Sequence, residues 1–291
     1  MKLGVIGMGV MGYPIAVNLV KKSGLPVLGY DVVPGQREKF AAAGGTAVSA
    51  PEEIYRSCQV VFFSLPNNQL VDAYLGAAVE HCPAGTTVVD LSSSTPTVIR
   101  GHAEAARAAG VALVDCPVSG GEAGAIAGTL SAMCGGEGED VQRVLPYLKL
   151  FNTKVTHMGA LGCGYAAKLA NNMIIGAGIA AVAEAFAYAE KAGLDQTTLF
   201  EAIRSGGAGS SVLEVKGPKM IHRDYTPSSR LSIHLKDLHN AQQLAQDMGA
   251  YTPLADLSAR LMEQLEQQGR GGEDVAVLLD LFEENGQGKT L

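Results

Sequence analysis

"MKLGVIGMGVMGYPIAVNLVKKSG" occupies residues 1–24, and two readings compete for it. A basic start, a long apolar run and the pair Lys21–Lys22 outline an export signal or a membrane anchor. A spanning helix needs about 20 predominantly apolar residues. Here Gly4, Gly7, Gly9, Gly12, Pro14 and Asn18 interrupt that span, and the run ends in Val20-Lys21-Lys22 with no small-residue cleavage site. The other reading accounts for every one of those residues. "LGVIG" is a strand buried on both faces, as parallel strands are. The amphipathic run "YPIAVNLVKKSG" is a helix with Pro14 in its first turn and Gly24 past its end. "PVLGYD" is a second strand that ends in Asp31.

Gly7, Gly9 and Gly12 form G-x-G-x-x-G at the turn between strand and helix, and Asp31 lies 24 positions after Gly7. In that context the first glycine permits a tight turn, the second lets backbone approach a pyrophosphate, and the third lets helix and strand pack closely. The helix N-terminus offers amide N–H groups to the phosphates, and an acid about 20 residues on accepts hydrogen bonds from ribose hydroxyls. Asp31 would repel a 2′-phosphate, so NAD is expected over NADP; Arg37 nearby softens that preference.

The composition sets outer bounds. At 291 residues, 47% hydrophobic and 18% charged, the chain has room for two domains with large cores. A net charge of −7 argues against nucleic acid, whose phosphates recruit basic surfaces. Five cysteines, Cys58, Cys82, Cys116, Cys134 and Cys163, are odd in number and form no C-x-x-C pair, so free thiols in a reducing cytoplasm are expected. No later segment is expected to span a membrane.

Up to about residue 160, apolar runs ("VVFFSLP", "TTVVDLS", "VALVDCPV", "LSAMCGG", "KVTHMG") alternate with helical stretches at 51–57, 67–81, 96–109 and 138–150. That alternation predicts an α/β, doubly wound parallel sheet whose ligands bind beyond the carboxyl ends of the strands. The rhythm then breaks. "YAAKLANNMIIGAGIAAVAEAFAYAEKAG" predicts a long buried helix stopped at Gly193. Helical runs follow at 195–204, 231–248, 253–268 and 273–283, the second with apolar residues at 231, 235, 238, 245 and 248. The expected organisation is residues 1–162 as the dinucleotide-binding domain and 163–291 as an all-helical substrate and oligomerisation domain, with "ENGQGKTL" a loose tail.

On the long helix Lys168 and Asn172 are four apart and share a face. An ammonium in so apolar a helix is either solvated at the first turn or placed for chemistry. Four separated motifs decide between these. "GVIGMGVMGYPIAVNL" (4–19), "DCPVSGGEAGAIAGTL" (115–130), "GALGCGYAAKLANN" (159–172) and "KDL" (236–238) occur in the order found in the β-hydroxyacid dehydrogenase family, which includes 3-hydroxyisobutyrate dehydrogenases and tartronate semialdehyde reductases. The chain resembles that family over essentially its whole length. The resemblance implies a Rossmann domain joined to an all-α domain, and NAD(P)-linked interconversion of a short β-hydroxy acid and its semialdehyde. It also implies a catalytic Lys168 with Asn172 beside it, a carboxylate substrate held by Ser119, Gly120 and Gly121, cofactor contacts at Met11, Leu65, Pro66, Ser93 and Lys236, and a homodimer or homotetramer.

The chemistry of those residue types agrees. A carbonyl taking up hydride becomes an alkoxide, which a positioned ammonium stabilises and protonates. The reverse reaction needs a neutral lysine, hence a pKa below the ordinary value near 10.4. Ser119 and the open backbone of the two glycines after it offer donors to a carboxylate.

Other conspicuous groups read as structural. His234 and His239 are five apart, off a common helix face, so no metal is expected. Cys163 reads as a packing thiol, and 205–220 ("SGGAGSSVLEVKGPKM") as a surface loop, a segment that closes over substrate or one that meets a partner subunit. The chain also resembles 6-phosphogluconate dehydrogenases, but Tyr165 stands where those carry a histidine; imine reductases share the plan but lack the lysine. A non-catalytic NAD sensor would not need Lys168, Asn172 and Ser119 together. Within the family, 204–238 looks most like tartronate semialdehyde reductases and 2-(hydroxymethyl)glutarate dehydrogenases, with Arg230 or Lys219 available for a second carboxylate.

Overall fold

In the computed structural model, which describes residues 1–285, the chain divides into two compact units, Met1–Lys168 and Leu169–Leu291. The first opens as the glycine turn predicts, with β1 (Leu3–Ile6), α1 (Gly12–Lys22) and β2 (Val27–Tyr30). It continues through α2 (Pro34–Ala42), β3 (Thr46–Ala47), α3 (Pro51–Ser57), β4 (Val60–Phe63), α4 (Asn68–His81) and β5 (Thr87–Asp90). The run 96–109 is two helices, α5 (Pro96–Gly101) and α6 (Ala103–Ala109), broken at His102. Then come β6 (Ala112–Asp115), β7 (Val118–Ser119), α7 (Gly121–Ala127), β8 (Leu130–Gly135), α8 (Gly138–Leu148) and β9 (Asn152–Gly159).

The strands are apolar without alternation because helices cover both faces of the sheet. Leu3, Val5, Val60 and Phe62 pack into one core with Ile15 and Leu19 of α1. The intervening Ile6, Val61 and Phe63 pack into a second core with Ile54 and Leu75. Successive side chains leave a strand on opposite faces, so each strand feeds both layers.

The strand order is β3-β2-β1-β4-β5-β6-β8-β7, with β9 beside β8. From β3 to β6 every pair is parallel. The doubly wound parallel sheet is as expected, and beyond β6 it adds one strand of opposite direction, β8, which runs antiparallel to both β6 and β7. A parallel return needs a crossover of a dozen or more residues, and between β7 and β8 only Gly120–Thr129 is available. The crossover through α8 is long enough, and β9 lies parallel to β8.

The second unit is helical throughout its described residues. It holds most of α9 (Cys163–Lys191), then α10 (Gln196–Ile203), α11 (Ser211–Ile221), α12 (Leu231–Met248), α13 (Pro253–Gln267), a 3-10 turn at Val275–Val277 and α14 (Leu278–Asn285). Ile179, Ala183 and Phe186 of α9 enter one core with Leu235, Leu238, Met262 and Leu279. On length and composition alone, α9 is apolar enough to cross a membrane, which corrects the expectation that no later segment has that character.

The stretch 205–220 is not the loop its composition suggests: from Ser211 it is helix α11, started by the Ser210 side chain, which accepts from Leu213 N–H at 3.1 Å. Gly217 there lies under the Phe200 ring, where a Cβ would sit 3.0 Å from ring carbon. The small residues that read as loop are cap and close-packing residues. Lys219 of α11 reaches Asp224 and the Thr226 carbonyl within its own unit, and Arg230 precedes α12, its backbone paired with that of Asp274 in an isolated antiparallel β-bridge. Glu284 and Asn285 close α14, and the rest of the expected tail, 286–291, lies outside the described residues.

Candidate active site

The glycine turn is built as its spacing requires. Gly7 has φ +87°, and a Cβ there would sit 2.3 Å from the Ser64 carbonyl oxygen; a Cβ on Gly12 would sit 2.0 Å from the Gly7 carbonyl oxygen. These two glycines are sterically obligatory. Gly9 differs: its missing Cβ points into open space, the room a ligand needs to approach backbone. Met11 precedes α1, and no side chain caps that helix; Tyr13 N–H donates to the Gly9 carbonyl at 3.0 Å, so the helix start is closed by backbone alone and carries no acidic side chain that would compete with a phosphate.

Asp31 ties this turn to β2. Its Oδ2 accepts from Met8 N–H at 2.6 Å and its Oδ1 from Val33 N–H at 2.8 Å. The carboxylate is thereby fixed and buried, with further lone pairs left for ribose hydroxyls. Arg37 donates to the Asp31 carbonyl and lies over the Tyr30 ring. Open backbone at Gly9, an uncapped helix start and a fixed acid fit a nicotinamide dinucleotide.

Leu65 and Pro66 follow β4, and Ser93 follows β5. Leu65 N–H donates to Ser92 Oγ at 2.8 Å, joining those two turns, and Leu65 also lies 3.3 Å from the Cβ position of Gly7. Gly7, Gly9, Met11, Gly12, Asp31, Leu65 and Ser93 therefore gather at the carboxyl ends of β1, β2, β4 and β5. Ser119 lies on β7, at the end of the strand order, paired with Ser131. Gly120 (φ +133°) and Gly121 (φ +64°) carry the chain from there into α7, in conformations that favour glycine.

Lys168 is half-buried on α9. In the second unit Asn172 is buried, and its Nδ2 donates to Asp237 Oδ2 at 2.6 Å while its Oδ1 accepts from Asn171 Nδ2 at 2.9 Å. Lys236 Nζ stands 3.1 Å from Asp237 Oδ1. Asp237 thus bridges two residues singled out from sequence, and it is a member of the cluster to which the sequence reading gave no role. His234 is bonded to Ser229 Oγ and His239 to Glu263, on separate partners.

Comparison with known proteins follows the same division. Residues 2–159 match the model of the NAD-binding domain of 6-phosphogluconate dehydrogenase, and residues 162–282 match that of NADP-dependent 3-hydroxyisobutyrate dehydrogenase. A 2-hydroxy-3-oxopropionate reductase from Escherichia coli is 32% identical over 286 residues, covering 97% of each chain. An NAD-dependent L-serine dehydrogenase from Pseudomonas aeruginosa is 34% identical over 292 residues, 97% of this chain and 98% of that one. Among solved structures, a Mycobacterium tuberculosis 3-hydroxyisobutyrate dehydrogenase with L-serine superposes at a TM-score of 0.89 with 30% identity, covering 96% of this chain and 98% of that one. Two family models that together run nearly end to end, and relatives matched over almost their whole length, place this chain in the β-hydroxyacid dehydrogenase family, as an NAD(P)-dependent oxidoreductase that acts on hydroxyl or oxo groups.

Proposed function

We propose that the chain reduces a short semialdehyde carboxylate to its β-hydroxy acid with NADH, tartronate semialdehyde to glycerate being the leading pair. The observation that carries this reading is the Asn172–Asp237 hydrogen bond. A buried carboxylate that accepts from Nδ2 fixes which way the amide points, one helical turn from Lys168. Bound NADH supplies the hydride. The Lys168 ammonium stabilises the developing alkoxide and gives it a proton. Asn172, its amide held by Asp237, orients the reacting oxygen or the lysine. Ser119 Oγ and the backbone amides of Gly120 and Gly121 hold the substrate carboxylate, and Lys236 is a cofactor contact. Asp31 selects NAD over NADP because a 2′-phosphate beside its carboxylate meets repulsion.

The L-serine relatives support a second substrate reading, since L-serine is itself a β-hydroxy acid. Exposed Ile174 and Tyr188 on α9 support a homodimer or homotetramer, the membership of Ile179, Ala183 and Phe186 in the helical core supports a soluble enzyme in which α9 is a core helix, and the five free cysteines suit a reducing cytoplasm. Initial rates decide among substrates: tartronate semialdehyde with NADH and with NADPH, beside L-serine, 3-hydroxyisobutyrate and 2-(hydroxymethyl)glutarate with NAD and with NADP. The expected result is the highest kcat/KM for tartronate semialdehyde with NADH. A higher value for another substrate replaces the leading pair, and a higher value for NADPH overturns the role given to Asp31.

A further inference from the structure

The first turn of α9 rests on two buried acids. Asp90 and Asp115 end the neighbouring parallel strands β5 and β6 and are register partners across them. Both are fully buried. Asp115 accepts from the start of the helix with both oxygens, from Gly162 N–H at 2.6 Å and from Tyr165 N–H at 2.8 Å. It caps α9 from a strand 47 residues earlier in the chain. Asp90 accepts from Ser92 N–H at 2.9 Å and, through its other oxygen, from the hydroxyl of the fully buried Tyr165. The approach is close enough to demand glycine on both sides: a Cβ on Gly135 would sit 2.4 Å from Asp115 Oδ1, and one on Gly164 would sit 2.3 Å from the Met133 carbonyl oxygen.

We propose that Asp115 and Asp90 are positioning residues for the reaction: together they seat the first turn of α9 and so hold Lys168 at its working place. The proposal rests on the reading of Lys168 as proton donor. Lys168 follows Tyr165 by three residues, less than one turn and about 4.5 Å along the axis. The Asp115 carboxylate fixes the helix along its axis, because two amides three residues apart, those of Gly162 and Tyr165, must both meet it, and its charge complements the helix dipole. A carboxylate on the amides alone leaves rotation loosely set. The Tyr165–Asp90 bond restricts that rotation, since turning the helix carries the hydroxyl away from a fixed strand end. Burial lifts both acids above the usual carboxylate range; the hydroxyls of Ser92 and Tyr165 pull Asp90 part of the way back and the Asp115 charge lifts it, while the amides of Gly162 and Tyr165 pull Asp115 part of the way back. Burial likewise raises the Tyr165 hydroxyl, which stays a donor.

The test uses Tyr165→Phe, which keeps the ring and loses only the bond to Asp90, with Asp115→Asn as the more severe variant. Rates are measured with NADH and tartronate semialdehyde, or whichever substrate of the panel above the wild type turns over. A misplacement of about 1 Å costs about a hundredfold in rate, so Tyr165→Phe should lower kcat at least tenfold with KM for NADH unchanged. In the Lys168→Ala background the same change should leave the residual rate unaltered, since there is no ammonium left to misplace. Amide hydrogen exchange at Cys163–Lys168 should quicken in the variant without ligand. The seat is overturned if kcat and exchange are unchanged, or if the rate falls by the same factor in both backgrounds, the mark of a merely structural role. A wild-type rate in Lys168→Ala alone overturns the lysine's role and this proposal with it; loss in Lys168→Ala with an intact kcat in Tyr165→Phe overturns the seat alone.

Discussion

Asp115 in the first unit and Asp274 in the second are both fully buried carboxylates that gather backbone amides, and their titration differs in sign. Asp115 takes the amides of Gly162 and Tyr165, and burial raises its pKa. Asp274 takes the amides of Ser228, Ser229 and Ala276, and adds the Lys216 ammonium at 2.8 Å. Burial pushes Asp274 up as well, but the ammonium and the amides outweigh it and bring it to about 2. Desolvation in turn draws Lys216 below its ordinary range. Asp274 has more donors, with a third amide and the Ser228 hydroxyl, and it alone has a cation; the ammonium is the difference in charge between the two sites. Asp274 joins α11, the segment before α12 and the 3-10 turn through charge, whereas Asp115 locates a helix through geometry.

The largest effect on stability follows from that contrast. Asp274→Ala strands a buried ammonium, and loss of one partner of a buried pair costs about 3–5 kcal/mol. Urea unfolding should show this loss, and the double change Lys216→Met with Asp274→Leu should recover part of it; a double variant no better than Asp274→Ala would mean that the amides of Ser228, Ser229 and Ala276, not the charge pair, carry the site.

A smaller effect is read from pH. Asp274 has a folded pKa below its unfolded value near 3.9, so its contribution is present above that value and disappears as pH falls towards about 2. A shift of that size corresponds to roughly 2–3 kcal/mol. Asp90 and Asp115 act in the opposite direction, since a raised folded pKa favours folding as pH falls through it. Urea midpoints between pH 5 and 2 should therefore fall in the wild type and fall less in Asp274→Asn. An equal fall in both would assign the acid sensitivity elsewhere.

The two units also differ in how much the sequence discloses. The glycine turn was legible because Gly7 and Gly12 answer local sterics, and local sterics are written in spacing. The helix α12 was legible from its apolar period. What the sequence hid is long-range: the antiparallel turn of β8, set by too short a connection after β7, and α11, whose serines and glycines serve as cap and close-packing residues. The roles of Asp115 and Asp237 were hidden for the same reason. Each is an ordinary acid until the fold brings Gly162 or Asn172 to it, across 47 and 65 residues of chain. Lys168 stood out because an ammonium is conspicuous in an alanine-rich helix; its supports did not, because strands often end in Asp.

The central claim is that Lys168 serves proton transfer and not cofactor binding. The measurement that reaches it most directly is kcat for Lys168→Ala with NADH and tartronate semialdehyde, beside the dissociation constant for NADH. The expected result is a loss of about a hundredfold to ten-thousandfold in kcat with NADH affinity within about twofold of wild type. An unchanged kcat, or a loss explained entirely by weaker NADH binding, would contradict it.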